Sequence, residues 1–340
     1  RVTIGADAGT DGTKAVTLGS ADDIVTGSAD ADSVVLGSGD ANLSLGASAD
    51  TITTSDTNLT GQHTIDGGAG TDNLTLSGAA TVTDNDFRNV TSVETITAAA
   101  AATTVTLEDK ASATGITTVT LNSGNDALTT TTEFTQNLTV VGGTGTLSLT
   151  HSGTGTLSLT GGTGVDTVTL GAGNSTVAGG GGTDVVTMGA GTLNFTGGGA
   201  VDTINIANGQ LTSADTIAGG ADVDVIAVSV DNTTLVDADF TNVSAVESLT
   251  ASGGNTITAT LGTLAATATV DSITGSSGAD SINASGFGAA ITIVGGSGND
   301  TIVGTNTASI DTITPGAGNV VTNQLPTFTG NVCVCIGNCP

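Results

Sequence analysis

Apolar and small polar residues alternate with a period of two in short runs along the chain. Val168 and Leu170, Val186 and Met188, and Ile204 and Ile206 each flank one Thr or Asn. A period of two is the signature of a strand with one buried face. Between the runs lie turns of Gly and small polar residues. From 161 to 205 the chain reads GGTGVDTVTLGAGNSTVA, GGGGTDVVTMGAGTLNFT, GGGAVDTIN, so Gly161, Gly179 and Gly197 fall 18 apart, as do Asp166, Asp184 and Asp202. Each unit of 18 splits into two halves of nine, a turn and then a strand. Two short strands and two turns per repeat describe one coil of a β-solenoid, in which inward side chains stack from coil to coil.

A longer repeat lies over the first. Residues 67–97 contain GGAGTDNLTLSG followed by DNDFRNVTSVETIT, and residues 219–250 contain GGADVDVIAVS followed by DADFTNVSAVESLT. Phe87 pairs with Phe240, Asn89 with Asn242, Val93 with Val246 and Glu94 with Glu247, each 153 apart. This predicts degenerate repeats over 1–66, a first solenoid module over 67–218, a second over 219–322 and a Cys-containing tail over 323–340. The scarce Phe of the block reads as a core plug or a short helical turn against the solenoid. The two glutamates read as solvated or capping residues that could also ligate a cation. GTGTLSLT at 143–150 and again at 153–160 carries no Asp, and predicts that the solenoid continues there without metal, lined by Thr and Ser ladders.

Composition narrows the function. The 340 residues carry 32 Asp and Glu against 4 Lys and Arg, a formal net charge of −28. Such a chain repels nucleic acid and anionic membrane, and cations are its natural partners. With 2% aromatic residues, thick packed layers are excluded and a thin core of small side chains is expected.

GGTGVDTVT at 161, GGGGTDVVT at 179, GGAGTDNLT at 67 and GGSGNDTIV at 295 resemble the nonapeptide G-G-x-G-x-D-x-U-x of the hemolysin-type, or repeats-in-toxin (RTX), calcium-binding β-roll. Weaker copies retain Asp202, Asp224, Asp280 and Asp126, and degenerate ones place Asp22 and Asp40, and Asp32 and Asp50, 18 apart. The resemblance implies an all-β, right-handed parallel β-solenoid with 18-residue coils that binds Ca²⁺. Its implied ligands are Asp22, Asp32, Asp40, Asp50, Asp72, Asp126, Asp166, Asp184, Asp202, Asp224, Asp280 and Asp300. Glycines admit φ > 0 and aim carbonyls inward, Asp adds a carboxylate, and the all-oxygen cage suits Ca²⁺. Opposite Asp166 and Asp184, the turns LGAGN and MGAGT put Asn174 and Thr192 where Asp would stand, so calcium is expected on one edge of that stretch. The competing reading closes the turns through Asn, Thr and Asp side-chain hydrogen bonds alone. The block around Phe87 and Phe240 resembles segments of bacterial surface-layer and giant extracellular proteins built on the same repeats.

Catalysis is not expected. His63 and His151 lie in no HExxH, and there is no G-x-S-x-G elbow or Walker A loop. Cys333, Cys335 and Cys339 fall within seven residues, which in an oxidising compartment requires one disulfide plus an intermolecular link, or a free thiol. LPTFTG at 325–330 is taken as a chance likeness to a sortase signal. No apolar run is long enough to span a membrane, and a start at Arg1 suits a mature or trimmed product. Millimolar extracellular Ca²⁺ would fill weak sites and offset the charge, placing the protein outside the cell, at its surface. Roughly 19 coils at ~4.8 Å would make a rod of order 90 Å, whose uncapped ends suit polymerisation. The expectation is a non-enzymatic, calcium-stabilised subunit of a surface layer, sheath or filament, self-associating through solenoid ends and tail, with cell-surface polysaccharide as a further partner. The alternatives are a monomeric adhesin or ice- or glycan-binding rod, and a secretion and folding module of a larger toxin, protease or lipase.

Overall fold

The computed structural model describes residues 3–4, 13–55, 57–99, 101–307, 310–317 and 321–322. The three cysteines and the LPTFTG segment lie outside these residues. The chain is an all-β parallel β-solenoid of about 14 turns with ~21 residues per turn, so the coils are fewer and longer than a uniform 18-residue repeat predicts. Equivalent positions stand 18 residues apart between Asp32 and Asp50, 22 between Asp50 and Asp72, and 23 between Asp224 and Glu247. The added residues enter at turns, outside the stacked strands.

Two units divide the chain, at residues 1–179 and 180–340. In the first, one sheet is built from Thr3–Ile4, Asp23–Ser28, Ala41–Gly46, Thr64–Asp66 and Val90–Thr91. A second runs from Ala15–Thr17 through Ser33–Val35, Thr51–Thr54, Asn73–Leu76, Thr95–Thr97, Thr118–Thr120 and Leu138–Val141 to Leu157–Gly162. Every pairing is parallel, and alternation sends one residue in two inward, as in Ala41, Leu43 and Leu45. Inward residues of like type then stack. Val34, Ile52, Leu74, Ile96, Val119, Val140 and Leu159 form one buried aliphatic column. The two GTGTLSLT copies are opposite faces of one roll, with Leu147 and Leu157 both buried on strands of different sheets.

A third sheet opens at Ala80–Val82 and continues through Thr103–Leu107, Asp126–Thr130, Leu147–His151 and Thr167–Leu170. Among the described residues the first sheet ends at Val90–Thr91, so one sheet replaces another within a single coil. The second unit repeats the event. Its sheet of Leu193–Gly198, Thr216–Gly220 and Val243–Ser244 stops where a new one opens at Thr233–Val236 and runs through Ile257–Thr260, Ser281–Asn283 and Thr301–Val303. A column of Val186, Ile204, Ile226, Leu249, Ile273 and Ile293 persists beside the exchange.

The 153-residue repeat marks these exchanges, and each residue of its block has a place. Asp84–Phe87 and Asp237–Phe240 are 3₁₀ turns. Phe87 and Phe240 are each 1% exposed, so they plug the core. Val90, Val93, Val243 and Val246 are buried beside them. Asn89 and Asn242 each donate through Nδ2 to a carbonyl of the preceding coil, Gly61 and Ser213, at 2.9 Å. Asp84 Oδ1 accepts the N–H groups of Glu108 and Ala111, both at 2.9 Å, capping the helix Asp109–Thr114 of the next coil. Asp237 Oδ1 does the same for Gly262 and Ala265, at 2.8 and 3.0 Å, at the helix Thr263–Thr267. These are first-turn N–H groups that a short helix cannot satisfy internally.

Candidate metal centre

A parallel strand begins with a backbone N–H that has no rung to join. At many strands of this chain a side chain of the following coil accepts it. Asp32 Oδ1 takes the N–H of Lys14, Asp50 Oδ1 that of Asp32 and Asp72 Oδ1 that of Asp50, at 2.6–2.7 Å. Glu94 Oε2 takes the N–H of Asp72 at 2.8 Å. The second unit holds the same run: Asp184 N–H to Asp202 Oδ1, Asp202 N–H to Asp224 Oδ1 and Asp224 N–H to Glu247 Oε2, at 2.7–2.9 Å. Shorter pieces join Thr103 to Asp126, Leu147 to Asp166, Ile257 to Asp280 and Asp280 to Asp300. Carboxylates thus stack along the edges of the roll in runs, broken where a backbone carbonyl takes their place, as Thr146 does for Asp126 N–H.

Ten of the twelve aspartates expected from sequence are buried in this arrangement, all but Asp22 and Asp40. Those two are exposed, with Asp40 N–H donating to Asp22 Oδ1 at 3.2 Å. Sequence reasoning missed Asp215, whose Oδ1 accepts Leu193 N–H and whose Oδ2 accepts Thr212 N–H, and His63, whose Nδ1 accepts Ala41 N–H in the same role. It also gave Glu94 and Glu247 no ladder role. The shared signal is an acceptor residue immediately before a strand, one coil after its donor. On the other edge, Asn174 serves through its carbonyl, accepting Leu157 N–H at 3.0 Å.

The second carboxylate oxygen carries the chemistry. At Asp50, Asp72, Asp202, Asp224 and Asp300, Oδ2 is buried without a hydrogen-bond partner. Four of these five sit beside a tight cradle at the first glycine of their nonapeptide. A Cβ at Gly67, Gly197, Gly219 or Gly295 would lie 2.1–2.7 Å from Oδ2 of its own aspartate and 1.9–2.4 Å from a carbonyl oxygen of the next coil. Carboxylate and carbonyl oxygens therefore converge where only glycine fits, and unpaired buried oxygens of this kind call for a cation. The donor set is all oxygen, with one carboxylate per coil and carbonyls for the rest, which fits Ca²⁺. When bound, the ion would supply positive charge to neutralise the stacked carboxylates.

Without an ion the electrostatics are unfavourable. Burial pushes Asp50 up to about 6, against the pull of Asp32 N–H, with the charges of Asp72 and Asp32 adding to the rise. Burial likewise raises Asp202 to about 6, opposed by Asp184 N–H and aided by Asp224. Asp72, Asp126, Asp166, Asp224 and Asp300 are raised from the ordinary carboxylate value by the same leading cause.

A second acidic group has a different purpose. Asp84, Glu108 and Asp109 bring carboxylate oxygens within 4.8 Å of one another. Lys110 Nζ sits against Asp84 and Asp109 at 3.1 and 3.0 Å, and Asp84 is occupied by helix N–H groups, so this cluster is an internally compensated cap. His151 is fully buried between Thr130 Oγ1, 2.8 Å from Nδ1, and the Gly155 carbonyl, and burial holds it below the usual histidine range. No helix among the described residues is long and apolar enough to cross a membrane.

Against known families, the chain matches the RTX calcium-binding nonapeptide repeat (4 copies) over residues 16–43, 160–192, 211–235, 263–287 and 292–320. No curated protein matches it significantly. RTX nonapeptide repeats bind Ca²⁺, and proteins that carry them are typically secreted. Asp166, Asp184, Asp224, Asp280 and Asp300 fall inside the matched segments, while Asp50, Asp72, Asp126 and Asp202 extend the same ladder outside them. The chain is a parallel β-solenoid, and five segments of it match the RTX calcium-binding nonapeptide repeat.

Proposed function

We propose that the protein is a non-enzymatic, extracellular structural subunit whose solenoid is stabilised by Ca²⁺ and which self-associates into a surface layer, sheath or filament. The observation that carries this reading is the ladder of buried aspartates with unpartnered Oδ2 atoms at Asp50, Asp72, Asp202, Asp224 and Asp300. A buried carboxylate beside another in the next coil is destabilising until a cation sits between oxygens of both. Ca²⁺ that binds the folded coil and not the unfolded chain shifts the equilibrium towards folding. A structural role is favoured because the buried carboxylates, His63 and His151 are all engaged in holding coils together. Self-association is favoured because every coil presents the same parallel hydrogen-bonding pitch, which like coils can continue.

One observation favours the adhesin or ice- and glycan-binding reading. Outward threonines align in rows, Thr53, Thr75, Thr97 and Thr120 on one sheet and Thr106, Thr129, Thr150 and Thr169 on another. Sedimentation and negative-stain microscopy in millimolar Ca²⁺ and after chelation separate the readings. Ordered assemblies that dissolve on chelation are expected. A calcium-stabilised monomer that binds ice or glycan would favour the rows instead, and a folded monomer indifferent to Ca²⁺ would sink the proposal.

A further inference from the structure

Eight of the ten buried repeat aspartates fall into two conformational classes. At Asp32 and Asp280, Oδ2 accepts the N–H of the residue four positions earlier, Ser28 and Ser276, at 2.7 Å in both. Asp126 accepts the N–H of Asn122, again four positions earlier. At Asp50, Asp72, Asp202, Asp224 and Asp300 that position is Gly46, Gly68, Gly198, Gly220 and Gly296, with φ of 108°, 99°, 110°, 121° and 95°. In these five turns Oδ2 has no partner. None of Ser28, Asn122 and Ser276 has positive φ.

The physical link is the direction of one N–H. A residue with ordinary φ at this position turns its N–H onto the carboxylate, completing its hydrogen bonds and placing a partial positive charge where a cation would approach. Glycine readily adopts the left-handed conformation, which keeps that N–H off the carboxylate and leaves the oxygen bare.

We propose that the residue four positions before each repeat aspartate decides whether the turn binds metal. Glycine in the left-handed region leaves Asp50, Asp72, Asp202, Asp224 and Asp300 open to a divalent cation. Serine or asparagine latches Asp32, Asp126 and Asp280 shut, and these act as metal-free staples. This rests on the calcium reading but divides the sites differently from the family match. Asp280 lies within a matched segment and is latched, whereas Asp50, Asp72 and Asp202 lie outside the matched segments and are open.

The test counts Ca²⁺ bound per full-length chain by equilibrium dialysis and titration calorimetry. Asp224→Asn and Asp300→Asn are each expected to lower the number bound by at least one. Asp126→Asn and Asp280→Asn are expected to lower the melting temperature with the number unchanged. Ser276→Gly is expected to raise the number by one, and it tests the same point should Asp280→Asn fail to fold. Equal losses from latched and open aspartates, or no gain in Ser276→Gly, would overturn this inference while leaving calcium binding intact. A wild-type chain that takes up no Ca²⁺ would overturn both.

Discussion

Glu94 accepts the backbone N–H of Asp72 through Oε2 at 2.8 Å, taking over the place that an aspartate holds in the coils before it. Glu247 repeats this for Asp224, 153 residues later, at 2.9 Å. Both glutamates stand just after a strand that ends its sheet among the described residues, Val90–Thr91 and Val243–Ser244. Replacing either glutamate with Ala strands a backbone donor in a largely buried turn, which destabilises by about 1–3 kcal/mol. Gln retains the acceptor and should lose less. Denaturant unfolding of Glu94→Ala against Glu94→Gln checks this, and equal losses would count against the hydrogen bond.

The aspartate ladder sets the response to pH. Asp50 and Asp202 stand at about 6 in the metal-free fold, above their ordinary 3.8. A raised carboxylate contributes stability that is fully present below its unfolded value and is lost as pH rises through the folded one. The chelated protein should therefore melt at a lower temperature at pH 7.5 than at pH 5. His151, held neutral by burial, opposes this as pH falls below 6.5, but the raised aspartates outnumber it. With Ca²⁺ present the order reverses, because protons compete for the ladder oxygens. Melting scans at both pH values, with calcium and with chelator, read the crossover.

Phe87 and Phe240 fill the core where sheets exchange. Truncation of either to Ala removes a fully buried ring and should cost about 3–5 kcal/mol. The effect should be the same with and without Ca²⁺, since neither ring belongs to the ladder. A loss that calcium rescues would argue for a role at the metal.

The glycine cradle makes the opposite prediction. In Gly197→Ala the new methyl would lie 2.1 Å from Asp202 Oδ2 and 2.2 Å from the Gly219 carbonyl. Stability should fall, and calcium should restore less of it than in the wild type. An unchanged calcium-induced rise in melting temperature would show that these oxygens do not meet at an ion.

The coil and the aspartates were legible between 161 and 205 because there the requirements are chemical and local. A left-handed turn selects glycine, and a strand with one buried face selects alternation. The average coil was not, because the residues that lengthen it, such as 57–62, occupy turns where no period is enforced. The Phe block was legible as a plug, since Phe87 and Phe240 are rare large side chains in a chain of small ones. Its role in exchanging sheets was hidden, because strand pairing is a long-range property. The ladder role of His63, Glu94, Asp215 and Glu247 was hidden because it asks only for an acceptor before a strand: three of them are not aspartate, and Asp215 stands in LTSAD, without the glycines of the nonapeptide.

The ladder also has a polarity. From Lys14 to Asp32, from Asp50 to Asp72, from Asp202 to Asp224 and from Asp280 to Asp300, the donor always belongs to the earlier coil and the acceptor to the later one. A coil laid down last has its carboxylate engaged and its own N–H still waiting. Along these runs each coil therefore satisfies one strand-starting N–H of the coil before it and presents its own to the coil after. A coil in such a run is chemically unlike on its two sides, one offering a carboxylate and the other an N–H, so a reversed neighbour would bring donor against donor.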